Sequence, residues 1–426
     1  MSEINLEGKK LLLLGGGLWK DAISAFAKEN GVQLVATGND TTSAIFDISQ
    51  EYYNIDSTSA EKMKRLIKEN HIDGVYMGGS EAVISAASQY LNELGLPCYC
   101  TKEQWEYLQN KANFKQLCIE NGLPVVPRYT IDENCIALSQ EVYPVITKPA
   151  DGCGSSGFSI CHNNDELVIG YNKAKDNSDS GSVIVEKFVK NKGIVVFLTF
   201  SNGKMYFSGL EDKYPVQYAR EGSYVAGLLI LESKFTKEFR ERFEEKIQKT
   251  MASIGIKEGS VWIEVFHDGD EFYFNEVGYR YGGTVSVYPV DYFYGINQVA
   301  SDMYYALTGE SKIDGHTSLI SANLHRKKYY AVYPVHLNAG KIKEIKGLDL
   351  LQENNDVVVI PVAKKVGTEI VQNGSFSQTF ALVHFVFDTK KELEEMIDLI
   401  HRELIVLDEN DINMVHKMLQ VDEVNI

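Results

Sequence analysis

Disulfide and zinc chemistry have little to work with in this sequence. Its 426 residues hold six cysteines, at 98, 100, 118, 135, 153 and 161, with no CxxC pair among them. Such spacing gives neither a disulfide framework nor a zinc site, and reads as buried thiols in a reducing compartment. CYC at Cys98 and Cys100 reads as alternation along a strand. Long apolar runs are missing too. The four leucines in MSEINLEGKKLLLLGGG end at glycines, which is neither a secretory leader nor a spanning segment, so a cytoplasmic protein is expected. Positive charge is scarce: Lys+Arg of 42 against Asp+Glu of 59 leaves −17. That balance excludes a non-specific grip on nucleic acid or an anionic membrane, and any phosphate must be met by a local basic site. Neither a repeat nor a low-complexity segment is visible.

The length suggests about three domains. From residue 1 to 101 short apolar runs alternate with helical patterns. KKLLLLGGG, VQLVATG and GVYMGG read as strands; DAISAFAKEN, with Ile23, Phe26 and Ala27 on one face, and the segment carrying Met63, Leu66 and Ile67 read as helices. This order predicts a doubly wound parallel sheet with ligands at the carboxyl ends of its strands, at Gly15 to Gly17 and at GGSE, 78 to 81. Gly15 and Gly17 fit two places of a dinucleotide fingerprint, and Asp40 ends the second strand, but Lys20 stands where the third glycine belongs. A tight strand-to-helix turn explains the triplet equally. Residues 102 to 315 change to antiparallel pieces, with hairpins turned at Asn202-Gly203 and around Asp268-Gly269 and a helix striped by Phe239, Phe243, Ile247 and Met251. Residues 316 to 426 read as a small α+β unit that covers a site or makes an interface.

One stretch raises the question of chemistry. In ITKPADGCGSSGFSIC, Lys148 ends an apolar strand and is followed by Gly152, Gly154, Ser155, Ser156 and Gly157. Small residues expose backbone N–H groups that can close on phosphate oxygens, with the lysine as a point charge. A hairpin whose glycines only supply positive φ reads as well from this stretch alone. Cys153 has no adjacent base that would make it a nucleophile. His162 and His267 read as surface histidines, and the tyrosines at 279, 281, 288, 292 and 294 fit a substrate pocket or plain packing.

Five features then fall in a fixed order: Lys111 opening a helix, Lys148 before the glycine loop, VEKFV at 185 to 189, Glu264 in a strand, and Glu276 in NEVGYRYGG with Arg280 four residues on. Following a doubly wound domain, they resemble the ATP-grasp superfamily, particularly its carboxylate-amine ligases and its biotin-carboxylase-like branch, over roughly residues 1 to 315. The resemblance implies that Lys111 and Lys148 hold nucleotide phosphates, that the loop of Gly152, Gly154, Ser155, Ser156 and Gly157 closes over them, and that Glu186, Lys187 and Val189 form the adenine hinge. It implies Mg2+ or Mn2+ on Glu264 and Glu276, Arg280 at the transferred phosphoryl group, and Glu81 as a substrate contact. ATP, a small carboxylate and an amine would be the ligands, and a homodimer fits the same family. Two other activities stay open: bicarbonate activation of the carboxylase or carbamoyl phosphate kind, and a regulatory module that binds ATP without turnover.

The chemistry asks for much the same set, since phosphoryl transfer needs placed cations and a metal with hard oxygen ligands. A glutamate flanked by Trp262, Ile263, Val265 and Phe266 is costly to bury unpartnered, which favours a metal over an idle strand position. Register adds a condition. A two-residue turn at Asp268-Gly269 puts Glu264 and Glu276 on opposite faces, so a shared metal requires an odd loop, with Asn275 on the far face. The sequence also departs from the family at Gly278, where an asparagine is usual, at Gly193 and Ile194, where a polar ribose contact is usual, and at Asn110, where an aspartate is common.

Overall fold

The computed structural model describes residues 4–39, 43–150, 157–189, 192–217, 224–417 and 424. The runs of leucine and valine near the start make strands β1 (Lys10–Leu13) and β2 (Gln33–Thr37), joined by β3 (Glu51–Tyr53) and β4 (Gly74–Tyr76) in a parallel sheet of order β3-β2-β1-β4. Helices α1 (Lys20–Asn30), α2 (Ala60–Glu69) and α3 (Glu81–Leu94) turn the expected stripes inward, Ile23, Phe26 and Ala27 on α1 and Met63, Leu66 and Ile67 on α2. Asp40 lies outside the described residues. Close packing accounts for two glycines of the loops: Gly16 has φ 103° with Ile23 and Trp19 against it, and a Cβ on Gly78 would lie 2.8 Å from the Cα of Gly15.

Two expectations about cysteine are corrected. Cys98 to Cys100 is a bend and not a strand, and Cys135 is exposed where a buried thiol was expected. The segment is a short connection between two helices, with the αL C-cap Gly95 and Pro97 on one side and the N-cap Thr101 on the other, which leaves no length for a strand. Cys153 lies outside the described residues.

Next come α4 (Lys102–Gln109) and α5 (Lys111–Glu120), then a small sheet of order β6-β5-β7 from β5 (Val145–Pro149), β6 (Ser159–Cys161) and β7 (Val183–Lys187), covered by α6 (Asn164–Asp176). Its core is Val145, Cys161, Leu167, Tyr171 and Val185. Among the described residues the main sheet has eight strands. β8 (Lys192–Ser201) and β9 (Lys204–Gln217) form the hairpin expected at Asn202-Gly203, both of positive φ, followed by β10 (Tyr224–Leu231), α7 (Thr236–Ser253), β11 (Gly259–His267) and β12 (Phe272–Gly278). α7 packs its Phe239, Phe243, Ile247 and Met251 stripe with Val196, Ile263, Val265 and Phe274 on one face. On the other face α8 (Val287–Tyr294) and α9 (Gln298–Thr308) share a core with Phe197, Leu231 and α1.

The order β12-β11-β8-β9-β10 continues through strand Tyr329–His336, strand Thr379–Phe387 and strand Val357–Val359. The last region thus extends the sheet at the end remote from β12, and strand Tyr329–His336 pairs directly with β10. Among the described residues no helix is long and apolar enough to cross a membrane.

Candidate active site

The β11–β12 hairpin carries both expected metal carboxylates. Ile263 and Val265 are buried toward α7, while Trp262, Glu264 and Phe266 alternate onto the other face. The turn spans Asp268 to Glu271, because His267 pairs with Phe272 and the Asp268 carboxylate accepts from the N–H of Glu271 at 3.0 Å. This even loop corrects the expected odd one. The odd residue lies in the strand: between Val265↔Phe274 and Glu264↔Glu276 the register shifts, leaving Asn275 extra. A bulge sets two consecutive residues against one partner and restores the parity, so Glu264 and Glu276 stand directly opposite each other. Asn275 is corrected with it. Its amide donates to Glu264 Oε2 at 2.8 Å, on the face of the glutamates and not behind it.

Each acidic group of the site is matched by a base. Lys111 lies 2.5 Å from Glu276, on a helix capped by Asn110, which accepts from the N–H groups of Ala112 and Asn113. Burial alone would lower the Lys111 ammonium, but Glu276, with Glu264 and Glu81 near it, raises it above its usual range. Lys213 reaches Glu264 at 3.2 Å. Its stem passes over Gly193, where a Cβ would meet Lys213 Cδ at 3.2 Å, so Gly193 makes room for this lysine. Arg280 donates through Nε and Nη2 to Glu81 at 3.2 and 2.7 Å, and its guanidinium lies 5.3 Å from the Trp262 ring. Glu81 and Arg280 therefore join the N-terminal sheet to the hairpin.

The side chain of the expected hinge glutamate is held by basic groups. Glu186 is 2% exposed and takes Lys115 and Lys148 at 2.7 Å each, with Arg128 at 3.9 Å. Burial would raise its carboxyl, but the two ammonium groups hold it below the usual range; burial lowers the Lys115 ammonium despite Glu186. Lys187 turns to Asp268 at 2.9 Å and the Tyr273 hydroxyl at 3.1 Å, and its backbone N–H donates to Pro127. Val189 ends this segment, half-buried. Of the glycine loop, Gly152, Gly154, Ser155 and Ser156 lie outside the described residues; Gly157 has φ 74° and packs on Pro149 and Asn177.

Trp262 explains Gly278. A Cβ on Gly278 would stand 2.2 Å from the indole Nε1, so the indole takes the place an asparagine side chain would fill. His267, expected at the surface, is buried between Phe235 and Phe272, and burial keeps its imidazole below the ordinary range. Tyr279, Tyr281, Tyr288 and Tyr292 are buried packing residues. Sequence reasoning missed Lys115 and Lys213, and gave Asn275 and Trp262 no part in the site. Lys115 follows Lys111 at helical spacing, which was a usable signal; the bulge at Asn275 had none. Two opposed carboxylates, hard oxygen donors with lysines around them, suit a divalent cation bound with phosphates.

Residues 109–196 match the family described as carbamoyl-phosphate synthase L chain, ATP binding domain. The carbamoyl phosphate synthase large chain of Clostridium botulinum (strain Langeland) is 22% identical over 267 residues, 61% of this chain, and the match spans only about a quarter, 24%, of that relative. The biotin carboxylase domain of 2-oxoglutarate carboxylase from Hydrogenobacter thermophilus, a dimer solved with MgADP, ADP and bicarbonate, superposes with TM-score 0.71 at 20% identity, covering 93% of this chain and 91% of that one. The L-amino acid ligase of Bacillus licheniformis gives TM-score 0.69 at 18% identity, covering 95% and 100%. At these identities the structural likeness is one of fold.

Proposed function

We propose that this chain is an ATP-grasp enzyme that couples a small carboxylate to an amine at the expense of ATP, releasing ADP and phosphate, a reading supported by the family match over residues 109–196 and by likeness of fold. The observation that carries the reading is the opposed pair Glu264 and Glu276, with Lys111 on one and Lys213 on the other. A carboxylate oxygen of the acid attacks the γ-phosphorus, the bond to ADP breaks, and the amine then displaces phosphate from the acyl carbon. Lys148 and Lys111 exchange their glutamates for phosphate oxygens as the nucleotide enters. Glu264 and Glu276 would hold Mg2+ or Mn2+, which supplies neutralisation of phosphate charge. Arg280, steadied by Glu81, faces the transferring group, and exclusion of water protects the activated acid. In this reading residues 1–101, 102–315 and 316–426 are the domains, Gly152 to Gly157 the phosphate loop, and Lys187 and Val189 the backbone of the adenine hinge. A homodimer belongs to it, after the dimeric carboxylase neighbour.

The test is ADP release screened over amino acids and small carboxylates in pairs, with products identified by mass. ADP formed only when acid and amine are both present, with an amide product, supports the ligase. The bicarbonate found with the carboxylase neighbour favours one second reading, activation of bicarbonate, and ADP release that depends on bicarbonate alone would select it. ATP binding without ADP release across the panel would leave a regulatory module.

A further inference from the structure

One buried carboxylate on the site's face has no part in the arrangement above. Glu211 on β9 pairs with Val195, Val195 with Glu264, and Glu264 with Glu276, a single row across four strands. Residues of one row share a face, so Glu211 lies on the face of the two glutamates, about 10 Å from Glu264 at two strand spacings. It is 1% exposed, and its Oε2 is a buried oxygen without a hydrogen-bond partner among the described residues. The nearest cation, Lys213, is engaged with Glu264, while Asp212 points to the other face and accepts from Ser233 at 2.7 Å. Leaving such an oxygen unmatched is expensive, and buried carboxylates are ordinarily paired. The turn after β12 crosses this face at Phe197, where a Cβ on Gly282 would lie 2.8 Å from the ring, and a Cβ on Gly283 would meet nothing within 4 Å.

We propose that Glu211 binds the ammonium group of the amine half-substrate and takes its proton. The assignment rests on the ligase reading and names the nucleophile's class: a small primary amine or ammonia, entering as a cation. The ammonium gives one proton to the Glu211 carboxylate, and the freed nitrogen lone pair attacks the acyl carbon. The carbon–oxygen bond to phosphate then breaks with its electron pair on phosphate, which carries away the second nitrogen proton. Glu211 returns its own proton to water as product leaves. Burial pushes the Glu211 carboxyl up to about 8, against the pull of Lys213, which suits exchange of a proton with an amine near neutral pH.

Two readouts test this. With the acid found in the ADP screen, amide formation from the amine is compared with hydroxamate formation from hydroxylamine, which is uncharged at neutral pH. Glu211→Gln should lower the ratio of amide to hydroxamate by about 10²–10⁴, the usual contribution of a general base, with partial recovery in Glu211→Asp; an unchanged ratio overturns the proposal. The second readout needs no turnover. In MgADP-saturated wild-type protein carrying carbon-13 glutamate carboxyls, the resonance missing from Glu211→Gln should shift saturably toward the ionised position with ammonium chloride, methylammonium or glycine. No response to any of the three overturns the proposal. Absence of ADP and hydroxamate from the wild type would instead overturn the ligase reading, with the carbon-13 titration still deciding Glu211.

Discussion

Glu264 and Glu276 face each other across the β11–β12 ladder because Asn275 is one residue too many for a regular strand. A regular ladder from the His267↔Phe272 pair would set Glu264 opposite Asn275 and turn Glu276 to the α7 side. The bulge is therefore the device that assembles the pair, and the amide of the extra residue braces Glu264 from the same face.

Asn275 can be tested in two ways that separate these roles. Its deletion makes Glu276 follow Phe274 directly, a regular ladder that still sets Glu276 opposite Glu264, so Mg2+-dependent ATP turnover should persist. Asn275→Ala keeps the residue count and loses one hydrogen bond to a charged acceptor, worth about 1.5–3 kcal/mol, so the Mg2+ concentration at half-maximal ATP turnover should rise about 10–100-fold. A deletion variant that folds but has lost Mg2+-dependent turnover would contradict the register argument.

Lys148→Ala and Glu276→Gln should each lower ATP turnover by about 10²–10³ with little change in the far-UV spectrum, since both groups would sit where charge develops. Steady-state ADP release checks this. Near-normal rates in either variant would remove the phosphate and metal assignments.

Glu186→Gln should act mainly on stability. Lys115 and Lys148 both depend on this 3%-exposed side chain, and Lys115 is itself only 13% exposed. Removing one member of a buried ion pair costs about 3–5 kcal/mol, discounted here because Lys148 is about one-third exposed, so a loss of about 3 kcal/mol is expected in urea unfolding. Double substitution with Lys115→Met should recover part of it, because the stranded buried charge goes too.

The sequence made the fold legible where periodicity was strong. The stripes on α1, α2 and α7 and the Asn202-Gly203 turn stand as read. Order along the chain also pointed to residues that the fold sets in contact, Lys111 with Glu276, Glu264 opposite Glu276 and Arg280 with Glu81, while Lys148 meets Glu186, because motif residues sit on elements whose neighbours the fold dictates. Pairing between elements was not legible. Nothing local tells that Lys213 crosses Gly193 to Glu264, or that Trp262 fills the place beside Gly278. Asn275 looked like an ordinary strand residue, since a bulge leaves no periodic signal when its neighbours are Phe274 and Glu276. His267 looked exposed because it adjoins a turn, yet Phe235 from before α7 covers it.

Gly278→Ala should be costly although the change is one methyl group. With a Cβ 2.2 Å from the indole nitrogen, Trp262 must leave its place, and Arg280 loses the ring beneath it. A fall in melting temperature together with a change in Trp fluorescence is expected. Gly278→Asn should likewise displace the indole and give no gain in metal affinity. If Gly278→Ala were as stable as wild type with the same emission, the packing account of this family departure would be wrong.

Glu211 also makes a prediction about stability that needs no substrate. Burial raises its carboxyl from an ordinary value near 4.5 to about 8 in the folded protein. Between those values the folded state keeps a proton that the unfolded state has lost, so stability falls as pH rises through this window; the contribution is full below about 4.5 and gone above about 8. Glu211→Gln, which cannot ionise, should therefore gain on the wild type steadily from pH 5 to pH 8 in melting temperature, then run parallel to it. The difference between the two proteins is the quantity to measure, because buried groups of opposite sense share the raw profile. His384, held down to about 3 by burial, withdraws its stability as pH falls below 6.5. A flat difference across pH 5 to 8 would mean that Glu211 is ionised throughout and already satisfied within the fold.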